Sequence, residues 1–355
     1  MKITKKINMK ASFLALLLGG LFLISSCSSS SSDNVPVVNK TNLTTLNTST
    51  QTKLDTSLEG SAEGQYILGT KAALQTVLDA SKVLVASSTA TQLQIDNMTV
   101  QLNQAIALFE TKKVTPIDPT NLVGQWTFDE GTGTTVKDYS TTNATGTFGS
   151  SVLGTGTALP TWATDRYGNA KKAIAFDNGA KITVPYNAKL NPTKMSISLW
   201  IYATAKNDNN RFMGLHAWNG YKFQLQGDNK PFFTGATIAN GIYDRDDAEG
   251  ILVLNTWYHI SVTFGDGHTV FYINGTKVKD WDNTPGSLIT VVGHDLTFGV
   301  DSSKYAATDV NYDVDKIIPA AWGGFFHGSL DEIRIYKSVL TEAQVKAIYD
   351  TEKKP

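Results

Sequence analysis

The stretch 257–281 constrains this fold more than any other. Two runs, 257–264 and 269–273, are rich in β-branched and aromatic residues and are joined across Gly265-Asp266-Gly267. A second reversal at Asn274-Gly275 leads into a third run. Asn-Gly between β-rich runs is a strong hairpin signal, because a type I′ turn needs φ > 0 at both central positions. Val262, Phe264, Val270, Tyr272 and Val278 recur at every second position within their runs, which predicts a meander with one buried face. From Leu122 onward similar runs come at short, regular spacing: 123–128, 173–176, 181–184, 195–203, 211–215, 222–226, 232–234, 251–254, 296–300 and 328–336. That many strands with turn residues between them and no long helix predict an antiparallel β-sandwich of two large sheets. A capping-box pair, Thr341 and Gln344, opens one short helix running to Tyr349.

The first half has a different period. Between 41 and 113 the periodic runs are nearly free of glycine, proline and aromatics. Leu74, Val77, Leu78, Ser81, Leu84 and Val85 fall on one helical face, as do Ile95, Met98, Leu102, Ala105, Ile106 and Phe109. Thr91 with Gln94 forms a capping box, and Leu46, Leu54 and Leu58 mark a weaker first helix over 43–58. The prediction is a small three-helix bundle over 41–113, followed by a linker, 114–121, that Pro116 and Pro119 stiffen.

The single cysteine excludes an internal disulfide or a Cys-built metal site. Its setting gives it another use. Lys2, Lys5, Lys6 and Lys10 precede an apolar run, 11–23, too short for a comfortable membrane span, and Ile24-Ser25-Ser26-Cys27 closes it. This is a secretory signal over 1–26 whose end resembles a bacterial lipobox, so Cys27 is the expected lipidation site. Residues 27–40 are a Ser-rich tether. The expectation is a lipid-anchored protein of the outer membrane, facing the cell exterior. A net charge of −1 supplies no basic field for phosphates, so nucleic acid is not an expected partner.

Two family resemblances sharpen the reading. Gly64-Gln65-Tyr66, Gly69, Lys71-Ala72-Ala73-Leu74, Ala90-Thr91-Gln92, Asp96, Leu102, Ala105-Ile106 and Phe109 resemble the FIVAR-type three-helix module, mostly a spacer of secreted bacterial proteins. Residues 122–350 resemble the laminin-G-like, concanavalin A-type jelly roll. The resemblance rests on Trp126-Thr127-Phe128-Asp129-Glu130-Gly131 with Asp138, Ala173-Ile174-Ala175-Phe176-Asp177 and Met195-Ser196-Ile197-Ser198-Leu199-Trp200-Ile201. It continues in Asn255-Thr256-Trp257-Tyr258-His259-Ile260, Tyr272-Ile273-Asn274-Gly275 and Phe326-His327-Gly328-Ser329-Leu330-Asp331. The Asp138-Tyr139-Ser140 turn is one residue wider than the family's Asp-Ser turn.

What chemistry would this carry? Glycoside hydrolysis needs two carboxylates facing each other across a cleft. Asp331-Glu332 and Asp129-Glu130 are adjacent pairs, expected on opposite strand faces, and no spaced Glu pair replaces them. A glycoside hydrolase is therefore the weakest of three alternatives, and the chain reads as a non-enzyme. The laminin-G resemblance implies a structural Ca²⁺ held by Asp138, Asn143 and Asp331. It does not by itself name a ligand, since fold is not function. Loop aromatics with planar polar neighbours suit sugars, which nominates Trp218, Tyr221, Tyr243, Arg245, Tyr305 and Trp322 as ligand-binding. Trp126, Trp200 and Trp257 are expected in the core. The leading expectation is a non-catalytic glycan-binding lipoprotein, accessory to a SusC/SusD-like uptake system of Bacteroidetes type, with polysaccharide and the transporter proteins as partners. The alternative is an importer-docking subunit without a sugar site.

Overall fold

The computed structural model describes residues 37–353 apart from 152–154, 209, 216–218, 248–249, 251 and 301–323. Cys27, Trp218, Tyr305 and Trp322 lie outside the described residues.

Three helices come first: α1 (Thr41–Thr56), α2 (Thr70–Ala86) and α3 (Gln92–Glu110). Leu43, Leu54, Leu74, Leu78, Ile95 and Leu102 close their shared core. Thr91 and Gln94 make the reciprocal capping box at the start of α3, satisfying two of its orphan donors. Leu58 lies beyond α1 and is exposed. The loop residue Tyr66 is buried instead, stacked on Phe109 at 4.0 Å with its hydroxyl donating to Glu110.

The strands are β1 (Leu122–Trp126), β2 (Thr135–Val136), β3 (Gly146–Ser150), β4 (Thr161–Ala163), β5 (Ala173–Phe176), β6 (Ala180–Val184), β7 (Met195–Ala203) and β8 (Asn210–Leu215). Then come β9 (Tyr221–Gln226), β10 (Lys230–Thr237), β11 (Gly241–Asp246), β12 (Trp257–Gly265), β13 (His268–Ile273), β14 (Thr276–Trp281), β15 (Leu296–Phe298) and β16 (Gly328–Tyr336), closed by α4 (Glu342–Glu352). The first sheet runs β14-β13-β12-β7-β16-β5-β4, with β1 also paired to β16. The second runs β11-β10-β9-β8-β15-β6-β3-β2. All these pairings are antiparallel. The inner faces meet in one core in which Trp126 and Phe128 pack edge-on to Phe298, and Phe223 and Phe233 interlock with Phe271 and Phe264. Each such ring contributes about 1.5–3 kcal/mol by leaving water. The architecture is the expected mainly-β sandwich of concanavalin A-like jelly-roll type, preceded by helices.

The Asn274-Gly275 turn has φ of 50° and 70°, as a type I′ turn demands. The meander departs from its expected one-sided burial. Val262 and Phe264 face the core, but Val270 and Tyr272 face outward and are buried too. The reason is α4, which lies across the outer face of the first sheet, with Leu340 and Val345 against Val270, Tyr272 and Tyr336. Thr341 and Gln344 make its capping box. The amide of Gln344 also donates to the carbonyls of Thr115 and Pro116, and Lys112 pairs with Glu342 at 2.6 Å. Ile117 and Leu122 join the same apolar cluster, so the proline linker is packed against the sandwich.

Two local expectations change. The loop expected over 238–250 contains β11, registered on β10 from Phe232↔Asp246 to Thr237↔Gly241. Of the strand expected at 251–254, the described residues 252–254 are not in a strand; Leu252 is a buried loop residue bonded to Asn229. β2, β3 and β4 are short and Thr/Gly-rich, too weak in alternation to stand out.

Candidate functional site

Of the residues nominated as ligand-binding, the described ones, Tyr221, Tyr243 and Arg245, do not form an exposed sugar platform. Tyr221 is fully buried, and its hydroxyl donates to the Leu190 carbonyl at 2.8 Å. It is a core residue, because it sits on β9 in phase with Phe223 and Leu225. Tyr243 is likewise buried, edge-on to Phe264, since β11 places it opposite Gly235 on the core side. Arg245 does lie beside it. Its guanidinium stacks over Tyr243 at 3.9 Å and over Trp281 at 5.0 Å, while Trp281 donates to the Asp246 carbonyl. This stack joins edge strand β11 of the second sheet to edge strand β14 of the first. It occupies the ring faces a sugar would need and reads as an edge clasp. Trp257, expected in the core, is only partly buried and belongs to an outer face.

The residues nominated for calcium do not fit that ion. Asp138 is buried, and its two oxygens already accept from the backbone N–H groups of Gln125, Ser140 and Ala144 and from the Ser140 hydroxyl, at 2.8–2.9 Å. It pins a turn to β1. Asn143 is an exposed turn residue at φ 50°. Asp331 is buried within β16 and paired with Arg166 at 2.5 Å, so a guanidinium stands where a cation would. Among the described residues, no cluster of three His, Cys, Asp or Glu side chains is placed to hold a metal.

Asp331 belongs to a charge cluster beneath the end of α4. A bulge between Asp331 and Arg334, with Glu332 at φ 51°, brings both acids to the same side instead of the expected opposite faces. Arg334 bonds both Glu332 and Glu352. Arg166 bonds Asp331 and the Glu352 carbonyl, and lies over Trp200 at 4.8 Å. The Trp200 indole donates to Glu352 at 2.8 Å. Three carboxylates thus share two guanidinium groups. Burial pushes the Asp331 carboxyl up to about 8 against the pull of Arg166. The Arg334 pKa, by contrast, is raised: burial lowers it, but Glu352 and Glu332 outweigh that. His259 lies alongside, fully buried and pushed down to about 3 by desolvation, with Nε2 on the Ser198 hydroxyl at 2.8 Å. A raised carboxyl can mark a general acid. Here it is locked under a helix by an arginine that also bonds the end of that helix.

The second sheet carries a different outer face. On β8, β9, β10 and β11 the outward positions are Arg211, Lys222, Gln224, Phe232, Thr234 and Asp244. The register sets Arg211 opposite Gln224, Gln224 opposite Phe232, Lys222 opposite Thr234, and Thr234 opposite Asp244. Lys222 Nζ donates to Gln224 Oε1 at 3.1 Å and sits 5.7 Å over the Phe232 ring. Thr234 donates to Asp244 at 2.6 Å. Arg211, Lys222, Gln224 and Thr234 are at most 4% exposed, while Phe232 is partly exposed and Asp244 exposed, so the patch opens toward β11. Desolvation brings Lys222 down to about 7, helped by Arg211 and resisted by Asp244. Arg211 falls to about 10, again by desolvation and against Asp244. Buried ionisable groups with shifted pKa values and a named charge neighbour are a functional-site signature. The sequence did show these residues, as polar positions alternating with Phe212, Tyr221, Phe223 and Phe233. It gave no sign that the polar side would be buried.

Residues 176–346 match the family model described as the Concanavalin A-like lectin/glucanases superfamily. Among solved structures, domain 4 of an extracellular arabinanase from Geobacillus stearothermophilus, in complex with arabinotriose, aligns over 64% of this chain and 98% of its own, at 20% identity and TM-score 0.49. The receptor binding domain of botulinum neurotoxin C/D mosaic serotype aligns over 66% of this chain and 52% of its own, at 14% identity and TM-score 0.45. The binding domain of botulinum neurotoxin DC in complex with rat synaptotagmin II gives the same coverage at 13% identity and TM-score 0.44. The chain thus spans about half the length of those toxin domains. No curated protein matches it.

Proposed function

We propose that this chain is a non-catalytic glycan-binding protein whose ligand lies on the outer face of the second sheet. The observation that carries the reading is the accessible border of that face, Phe232 and Asp244, held in place by a buried polar lattice of Arg211, Lys222, Gln224 and Thr234 on three adjacent strands. The Asp244 carboxylate suits a sugar hydroxyl and Phe232 offers an apolar edge; Thr234 holds Asp244 and Lys222 sits over the Phe232 ring, so the buried lattice sets where both stand. The family match at 176–346, in a superfamily of lectins and glucanases, supports the same class. Glucanase chemistry is disfavoured because the buried acids Asp331 and Glu332 are held by Arg166 and Arg334.

The finer setting rests on sequence. The lipobox at Cys27 and the FIVAR-like bundle support a lipid-anchored protein at the outer membrane, with the helices as a stalk and a SusC/SusD-like importer as the receiver of captured polymer. The docking alternative draws on α3, where Leu93, Val100 and Leu108 are all more than half exposed. Native gels cast with a panel of polysaccharides separate the two. Retardation of the secreted chain by at least one polymer is expected; migration unaffected by all of them sinks the glycan reading and leaves docking.

A further inference from the structure

The first sheet has an open region beyond the end of α4. Trp257 on β12 stands opposite Tyr202 on β7, in the outward phase shared by His259 and Trp200. The same row continues through Ser329 on β16, Ala175 on β5 and Thr161 on β4. Neither aromatic is buried; their ring centroids are 5.5 Å apart and their planes inclined at 48°. Ser329 and Ala175, the next residues of the row, are small and leave the two rings as its largest partly exposed side chains. Four other tryptophans anchor their indole N–H: Trp126 on Ala144, Trp162 on Gly133, Trp200 on Glu352 and Trp281 on Asp246. Among the described residues Trp257 has no such partner, and neither does the Tyr202 hydroxyl.

We propose that Tyr202 and Trp257 form a second carbohydrate-binding site, on the opposite sheet from the first, which takes the C–H face of one neutral pyranose unit. Aromatic faces bind such surfaces by stacking, and the outward indole N–H and phenol O–H supply polar contacts at the rim. The inclination of the rings makes a shallow wedge. That shape fits a single sugar ring of a soluble chain and not the flat surface of an insoluble polymer. No charged side chain belongs to the row, so the unit is uncharged. The site goes beyond the patch on the second sheet and shares no residue with it.

The full secreted chain is titrated with cellohexaose, laminarihexaose and mannohexaose, and oxidation of Trp257 by N-bromosuccinimide is followed by peptide mass spectrometry. At least one oligosaccharide protects Trp257. Its affinity falls about tenfold in Trp257→Ala and in Tyr202→Ala, the size of one stacking contact, and stays unchanged in Lys112→Ala, which removes only a pair with Glu342. The proposal is overturned if Trp257 is oxidised at the same rate with and without every oligosaccharide, or if Trp257→Ala binds as the wild type does. Protection is read in the wild-type protein, so a poorly folded variant does not blunt the test. Binding that disappears in Gln224→Ala while Trp257 stays unprotected overturns this site and supports the first.

Discussion

The two outer faces of the sandwich both bury charge, and they do so in opposite ways. On the first sheet, Arg166 and Arg334 are each matched to carboxylates of β16 and α4, and Arg334 is more firmly protonated than in water. On the second sheet, Arg211 and Lys222 are both shifted toward their neutral forms. The first pattern is that of charge holding structure together; the second lies beneath the proposed ligand face. A buried ion pair with its hydrogen bonds made can hold a helix in place. A buried cation that desolvation has weakened costs the fold stability, and such costs concentrate where a ligand is bound.

The contrast breaks first at Arg166. Arg166→Ala leaves Asp331 buried beside Glu332 and removes the ring contact to Trp200, so stability falls by about 3–5 kcal/mol in urea denaturation. A loss no larger than that of a surface ion pair would mean that the cluster does not secure α4. Lys222→Met goes the other way. Because the folded pKa of Lys222 is lowered to about 7 from 10.5, the unfolded chain binds more protons between those values. The penalty is full below 7 and is relieved as pH rises toward 10.5. Lys222→Met is therefore stabilised by about 1 kcal/mol or more below pH 7, and its melting temperature loses part of the wild-type rise with pH. Unchanged melting curves would remove Lys222 from the argument.

Smaller effects sharpen the picture. Arg245→Ala opens the clasp between Tyr243 and Trp281 and costs about 1 kcal/mol; polysaccharide retention stays as in the wild type, because this cluster is structural. Lys112→Ala removes a partly exposed pair with Glu342 and costs about 0.5 kcal/mol, detectable as a slight fall in melting temperature. A larger drop would show that the bundle and the sandwich depend on that one pair.

Much of the fold was legible in the residues. Asn274-Gly275, Thr91 with Gln94, and Thr341 with Gln344 act through local geometry, and each turn or cap formed as expected. The placement of side chains across the sandwich was less legible. Tyr221 and Tyr243 look like loop aromatics until register assigns them to β9 and β11, where a one-residue shift exchanges core for surface. The Glu332 bulge reversed the expected separation of Asp331 and Glu332. Burial of Tyr272, Trp200 and His259 depends on α4, a segment remote in sequence. The patch around Lys222 was hidden for a related reason: alternation marks a polar face but not whether that face is dry.

The most direct test of the central claim is calorimetric titration of a polysaccharide that retains the wild-type protein into the Lys222→Met/Gln224→Ala double variant. With the melting profile showing an intact fold, the account predicts that binding heat from the second sheet is lost and affinity falls by at least about tenfold. Affinity equal to that of the wild type would contradict it.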